Sequence, residues 1–110
     1  MAENLYDSSE LIELRKAGYQ AEGYTTVLNL VEFPKALELE RLKVLYPTRE
    51  DYDNAVVWSA RLLKQGTPVP AIDLVVSAIS VRLGLQVVTR DRHFKRIKST
   101  VRELNLRSGQ

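Results

Sequence analysis

Apolar and polar positions divide the chain into short strands and helices punctuated by glycine and proline. Residues 2–6 suit a short strand, after which Ser8 or Ser9 can cap a helix with Leu11, Ile12 and Leu14 turned inward until Gly18 stops it. The chain thus passes from strand to helix at Asp7. Over residues 24–39, Thr25, Thr26, Val27 and Val31 favour a strand while Leu28, Val31 and Leu39 suit a helix; the spacing is read as a helix from about Thr26. Pro34 lacks an N–H and clashes with the preceding turn, so this helix is expected to bend or restart near Phe33, beside Glu32.

Thr48 as N-cap with Asp51 three residues on resembles a capping box, and acidic Glu50 and Asp51 suit a helix start. Tyr52, Ala55, Val56, Leu62 and Leu63 are predicted to face inward, with Gly66 ending the helix before Pro68 and Pro70. Trp58 lies on this helix and reads as a packing residue rather than a base-stacking one. Residues 71–83 are apolar almost all round, as in a helix covered on several sides, and Gly84 marks the end. Residues 85–89 read as a buried strand of a parallel sheet, 92–98 as a short helix and 101–106 as an edge strand. Strands alternating with helices predict an α/β fold.

A length of 110 residues fits one domain over 1–110, since two cores would each be too small to offset their ordering entropy. The hydrophobic fraction of 45% and charged fraction of 27% argue against disorder and against a membrane protein. No run approaches the roughly 20 apolar residues that cross a bilayer, and Met1-Ala2-Glu3-Asn4 lacks the basic start of a secretory signal, so a cytoplasmic protein is expected. The absence of cysteine removes disulfides, thiolate zinc sites and a cysteine nucleophile together. Any metal site must rest on carboxylates or on His93, the only histidine. The net charge of +2 does not identify a nucleic-acid binder, but Arg90, Arg92, Lys95, Arg96, Lys98, Arg102 and Arg107 are opposed locally only by Asp91 and Glu103. That end can attract phosphates or stand as a solvated basic tail.

In an open parallel sheet the ligand site lies outside the carboxyl ends of the strands. Asp7 and Asp91 follow predicted strands and can share one crevice if those strands are neighbours. Asp73, in the first turn of an apolar helix, would be costly to bury without a neutralising partner, and Glu32, flanked by Val31 and Phe33, presents the same difficulty. A shared cation answers both. Each acid also has a structural reading: Asp7 as a helix cap, Asp73 favoured by a helix dipole, Asp91 in a turn, Glu32 in solvent.

Pro70-Ala71-Ile72-Asp73-Leu74-Val75-Val76-Ser77-Ala78-Ile79, then Leu83-Gly84, then Val87-Val88-Thr89-Arg90-Asp91-Arg92-His93-Phe94, resembles the C-terminal half of a PIN domain. Leu5-Tyr6-Asp7-Ser8-Ser9 resembles the family's opening strand and turn, and Asn29-Leu30-Val31-Glu32-Phe33 the helix carrying its Glu, so the resemblance spans nearly the whole chain. It implies a three-layer α/β/α sandwich around a short, mainly parallel sheet. It further implies a metal-dependent endoribonuclease of the kind found as the toxin of VapBC toxin-antitoxin pairs, with Mg²⁺ or Mn²⁺ held by Asp7, Glu32, Asp73 and Asp91. Ser9 and Thr89 match accessory hydroxyls that orient the ligands, and Arg90, Arg92 and His93 are expected to hold the RNA backbone. An antitoxin partner and a homodimer are implied as well.

The sequence also departs from the family pattern. Asn29 stands where many members have Thr, His93 where a further acid is often found, and the segments around Gly18 and Leu45 are short. The alternative reading is a PIN-like RNA-binding or RNA-processing subunit without turnover. A receiver-like phosphoacceptor domain would need a lysine near the site, and none follows the last predicted strand in a fitting place.

Overall fold

In the computed structural model, which describes residues 3–109, the chain runs β1 (Asn4–Tyr6), α1 (Ser8–Lys16), β2 (Gly23–Thr26), α2 (Val27–Glu32), a 3-10 helix (Pro34–Glu38) and β3 (Leu42–Leu45). It continues with α3 (Arg49–Lys64), α4 (Ala71–Leu83), β4 (Gln86–Thr89), α5 (His93–Thr100) and β5 (Asn105–Ser108). The strands form a five-stranded sheet ordered β3-β2-β1-β4-β5, and every ladder is parallel. The side-chain alternation of a strand separates two cores. Leu5 and Val87 pack with Trp58, Leu62, Ile79 and Phe94 from α3, α4 and α5, whereas Tyr6 and Val88 pack with Leu11 of α1, Ala36 of the 3-10 segment and Leu39 just after it. Helices on both faces make the expected α/β/α sandwich.

The ambiguous segment contains both structures its residues suggest. Thr25 and Thr26 end strand β2, Thr26 then caps α2 by accepting from Asn29 N, and the helix stops at Glu32 before Pro34 restarts the chain as a 3-10 turn. Gly23 permits the close approach of β1 and β2: at φ 137°, a Cβ there would lie 2.7 Å from the Asn4 carbonyl oxygen. Strand β3 carried no prediction, because its residues are only partly buried and show no clean alternation. The expected edge strand at 101–106 begins later, at Asn105, with Val101 and Leu104 buried in the approach to it. Of the strand expected at 2–6, Ala2 lies outside the described residues.

The capping box at Thr48 is present in both directions, but the buried stripe of α3 differs from the expected one. Asp51, Ala55, Trp58 and Leu62 face inward, while Tyr52, Val56 and Leu63 are exposed, Val56 to 68%. The face is fixed by Asp51, which is fully buried and takes a bidentate contact from Arg82 of α4 at 2.9 and 2.8 Å. Among the described residues no helix is long and apolar enough to cross a membrane.

Candidate functional site

The chain leaves β1 toward β2 on one side of the sheet, and β4 returns to pair with β1 on the other. This switch point opens a crevice at the carboxyl ends of β1 and β4. Asp7 occupies it, its own N–H bonded to the Val88 carbonyl at 3.0 Å. Although Asp7 stands at the N-cap of α1, its side chain makes no capping hydrogen bond. Its carboxylate instead accepts from Asn29 Nδ2 at 3.1 Å on Oδ1, and from Ser9 Oγ at 3.0 Å and Thr89 Oγ1 at 2.9 Å on Oδ2. The hydroxyls extend the lattice, Ser9 accepting from Arg90 N and Thr89 from Asp91 N, both at 2.9 Å. Asn29, singled out in the sequence only as a departure from the family pattern, is a supporting member. Thr26 Oγ1 donates to its Oδ1 at 2.8 Å, which leaves Nδ2 to face Asp7 and, at 3.0 Å, Ser8 Oγ.

Asp73 enters the crevice from the first turn of α4, only 5% exposed, and its Oδ2 has no hydrogen-bond partner. Burial, then the charges of Asp7 and Asp91, push its pKa up to about 7; His93 opposes the rise and Glu32 adds to it. The charges of Asp7, Asp91 and Glu32 therefore all reach Asp73. Asp91 accepts from His93 N at 2.9 Å, so the turn reading of Asp91 also holds. His93 Nδ1 lies 2.9 Å from Asp91 Oδ1 and 3.2 Å from Asp73 Oδ2. Donor atoms of Asp73, Asp91 and His93 all fall within 4.8 Å of one another, the one such group among the described residues. Asp7 and Glu32 flank it.

Glu32 corrects one expectation: it is not buried among apolar neighbours but exposed, as is Val31 at 72%. Its position is set by Ser8, whose Oγ donates to Glu32 Oε1 at 2.6 Å. The donor set suits a divalent cation. Oxygen ligands are plentiful, and Asp73 Oδ2 is buried without a hydrogen bond beside like charges, a setting that a proton or a cation relieves.

Beside this cluster, Arg92, Lys95 and Arg107 line a cavity of about 290 Å³ together with Thr89, Arg90 and Asp91. Arg90 is paired with Glu10 at 2.9 Å. Lys98 Nζ donates to the carbonyls of Leu104 and Arg102 and so ties α5 to the turn before β5. The basic residues at this end are solvent-exposed, and Arg90, Arg92, Lys95 and Arg107 among them share this cavity with Asp91.

No protein-family model matches the sequence, and no curated protein matches it. Solved structures do match. With VapBC-1 from nontypeable Haemophilus influenzae the TM-score is 0.76 at 20% identity, over 96% of each chain. With VapBC2 from Rickettsia felis, solved bound to a DNA fragment from the promoter, it is 0.73 at 14% identity, over 96% of this chain and 97% of that one. With DNA-bound VapBC from Salmonella typhimurium it is 0.71 at 21% identity, over 98% of each. The fold is therefore PIN-like, that of these VapBC structures.

Proposed function

We propose that the chain is a divalent-metal-dependent endoribonuclease, the toxin of a VapBC-type toxin-antitoxin pair, with Asp7, Glu32, Asp73 and Asp91 as its acidic site. One observation carries this reading: a buried carboxylate oxygen on Asp73 that no donor satisfies, within the field of three other acids. Mg²⁺ or Mn²⁺ held there would supply Lewis acidity to water and to the non-bridging oxygens of a scissile phosphate. The chain's own residues do the rest. Ser9, Thr89 and Asn29 fix the Asp7 carboxylate in one orientation, so a ligand meets a preorganised group. Glu32, exposed and steadied by Ser8, is free to hold the attacking water and take its proton. Arg90 and Arg92 border the crevice, where they hold the RNA backbone. Water oxygen bonds to phosphorus, the bond to the 3′-oxygen breaks with a proton passing to that oxygen, and a 5′-phosphate remains.

The likeness to structures of VapBC supports an antitoxin as partner. Pairing of two copies is part of the same proposal, supported by exposed Tyr52, Val56 and Leu63 lining an apolar groove between α3 and α4. The test is digestion of defined single-stranded RNAs. Cutting that requires Mg²⁺ or Mn²⁺, stops with chelator and is lost in Asp7→Asn and Asp73→Asn supports the enzyme. RNA binding without cutting under any divalent ion supports the binding subunit instead. Growth arrest on expression, relieved by the product of an adjacent reading frame, tests the toxin assignment.

A further inference from the structure

His93 opens α5 and is the only histidine in the sequence. Its Nδ1 lies 2.9 Å from Asp91 Oδ1 and 3.2 Å from Asp73 Oδ2, distances at which an N–H aimed at either oxygen forms a hydrogen bond. Neither forms: Nδ1 and Asp73 Oδ2 are both buried and both lack a hydrogen-bond partner. Two buried polar atoms in contact without a bond between them are costly unless a third body satisfies both. Ligands of one ion stand in this relation, because each directs its lone pair at the ion and past its neighbours. Donors at roughly 2.1 Å from an octahedral ion sit about 3 Å apart, and the two separations here match that spacing. The Asp73 side chain, 8% exposed, forms the floor of the group, while Asp91 and His93, at 34% and 35%, close it toward solvent.

We propose that His93 Nδ1 ligates the divalent ion together with Asp73 and Asp91, and that this nitrogen makes the site prefer Mn²⁺ to Mg²⁺. The inference rests on the metal-site reading proposed above and replaces the RNA contact expected of His93. Mg²⁺ is bound through oxygen and keeps much of its water, whereas imidazole suits first-row transition ions, for which nitrogen donors raise affinity. A neutral imidazole with Nδ1 unprotonated serves as the ligand. The rival arrangement is an imidazolium standing in place of the ion as countercharge to the two carboxylates. In that arrangement Nδ1 carries a proton and binds no ion, so a nitrogen signal from bound Mn²⁺ separates the two.

Tag-free protein loaded with Mn²⁺ and studied by electron spin echo modulation tests this directly, since the chain's single histidine makes any imidazole nitrogen signal that of His93. The expected result is ¹⁴N modulation in the wild type that disappears in His93→Asp while Mn²⁺ still binds. Competition between Mn²⁺ and Mg²⁺, followed by calorimetry, should show the preference for Mn²⁺ falling about tenfold or more in His93→Asp and in His93→Asn. Mn²⁺ bound without nitrogen modulation, or an unchanged preference in both variants, overturns the inference and leaves the metal site standing. Absence of Mn²⁺ binding, or binding that Asp73→Asn does not weaken, removes the metal site and the inference with it.

Discussion

Asn29 donates from its buried side-chain amide to Asp7 Oδ1 at 3.1 Å, so a residue of α2 orients the acid at the end of β1. Its other amide atom is occupied by Thr26, which leaves the amide one way to face. Asn29→Ala removes the donor to Asp7 Oδ1 and to Ser8, the residue that steadies Glu32. Mn²⁺ affinity is expected to fall roughly 10- to 100-fold by calorimetry, as for other groups that orient metal ligands. Unchanged affinity in a folded variant contradicts this role for Asn29.

Thr89 joins two acids with one hydroxyl, donating to Asp7 at 2.9 Å and accepting from Asp91 N at 2.9 Å. Thr89→Val preserves shape and removes both bonds. Stability should drop by about 1–2 kcal/mol in urea unfolding, since a partly buried N–H is left without an acceptor. RNA cutting should fall by more than the loss of folded protein explains; a variant that cuts as fast as wild type per folded molecule counts against the arrangement.

The Asp51–Arg82 contact is structural and distant in role from the crevice. Asp51 is wholly buried, and although burial raises its pKa, the hydrogen bonds from Arg82 and Thr48 outweigh that and hold it below the ordinary carboxylate range. A depressed pKa contributes stability above the unfolded value and loses it as pH falls through the folded one. Arg82→Met leaves a buried charge beside the α3 cap and is expected to cost about 3 kcal/mol at neutral pH. The loss should shrink in acid, where Asp51 is protonated in both proteins. A destabilisation that stays constant down to acid pH speaks against the ion pair as its source.

Much of the site is legible in the sequence because strand ends select few acids: Asp7 follows β1, Asp91 follows β4, and these strands are paired. Asp73 is legible for another reason, being the one charge at the start of an apolar helix. Glu32 shows the limit of that reasoning. Val31 and Phe33 suggest burial, but α2 has only six residues, too short for an apolar neighbour to define an inner face, and Val31 is exposed. The same limit hides β2 and β3, four residues each, whose parallel pairing is set by partners remote in sequence. His93 carries no pattern of its own; only the turn that brings it over Asp73 assigns it to the acids rather than to the basic border.

Asp73 makes the crevice sensitive to pH through its own burial and the fields of Asp7, Asp91 and Glu32, with His93 opposing them. Its pKa in the folded protein is raised from 3.8 to about 7. In the metal-free protein the unfolded chain releases this proton near pH 4, while the folded chain keeps it until about pH 7. The unfolded state binds fewer protons across that window, so stability is fully present below it, declines through it and levels off above it. Urea unfolding in chelator from pH 4 to 8 should therefore show wild type losing stability relative to Asp73→Asn, with the difference confined to that interval. Mn²⁺ selects the ionised carboxylate, so its affinity for wild type should rise as pH passes through about 7 and flatten beyond. If wild type and Asp73→Asn run parallel across the window in chelator, Asp73 is not held protonated by its neighbours, and the electrostatic demand for a cation at this position disappears.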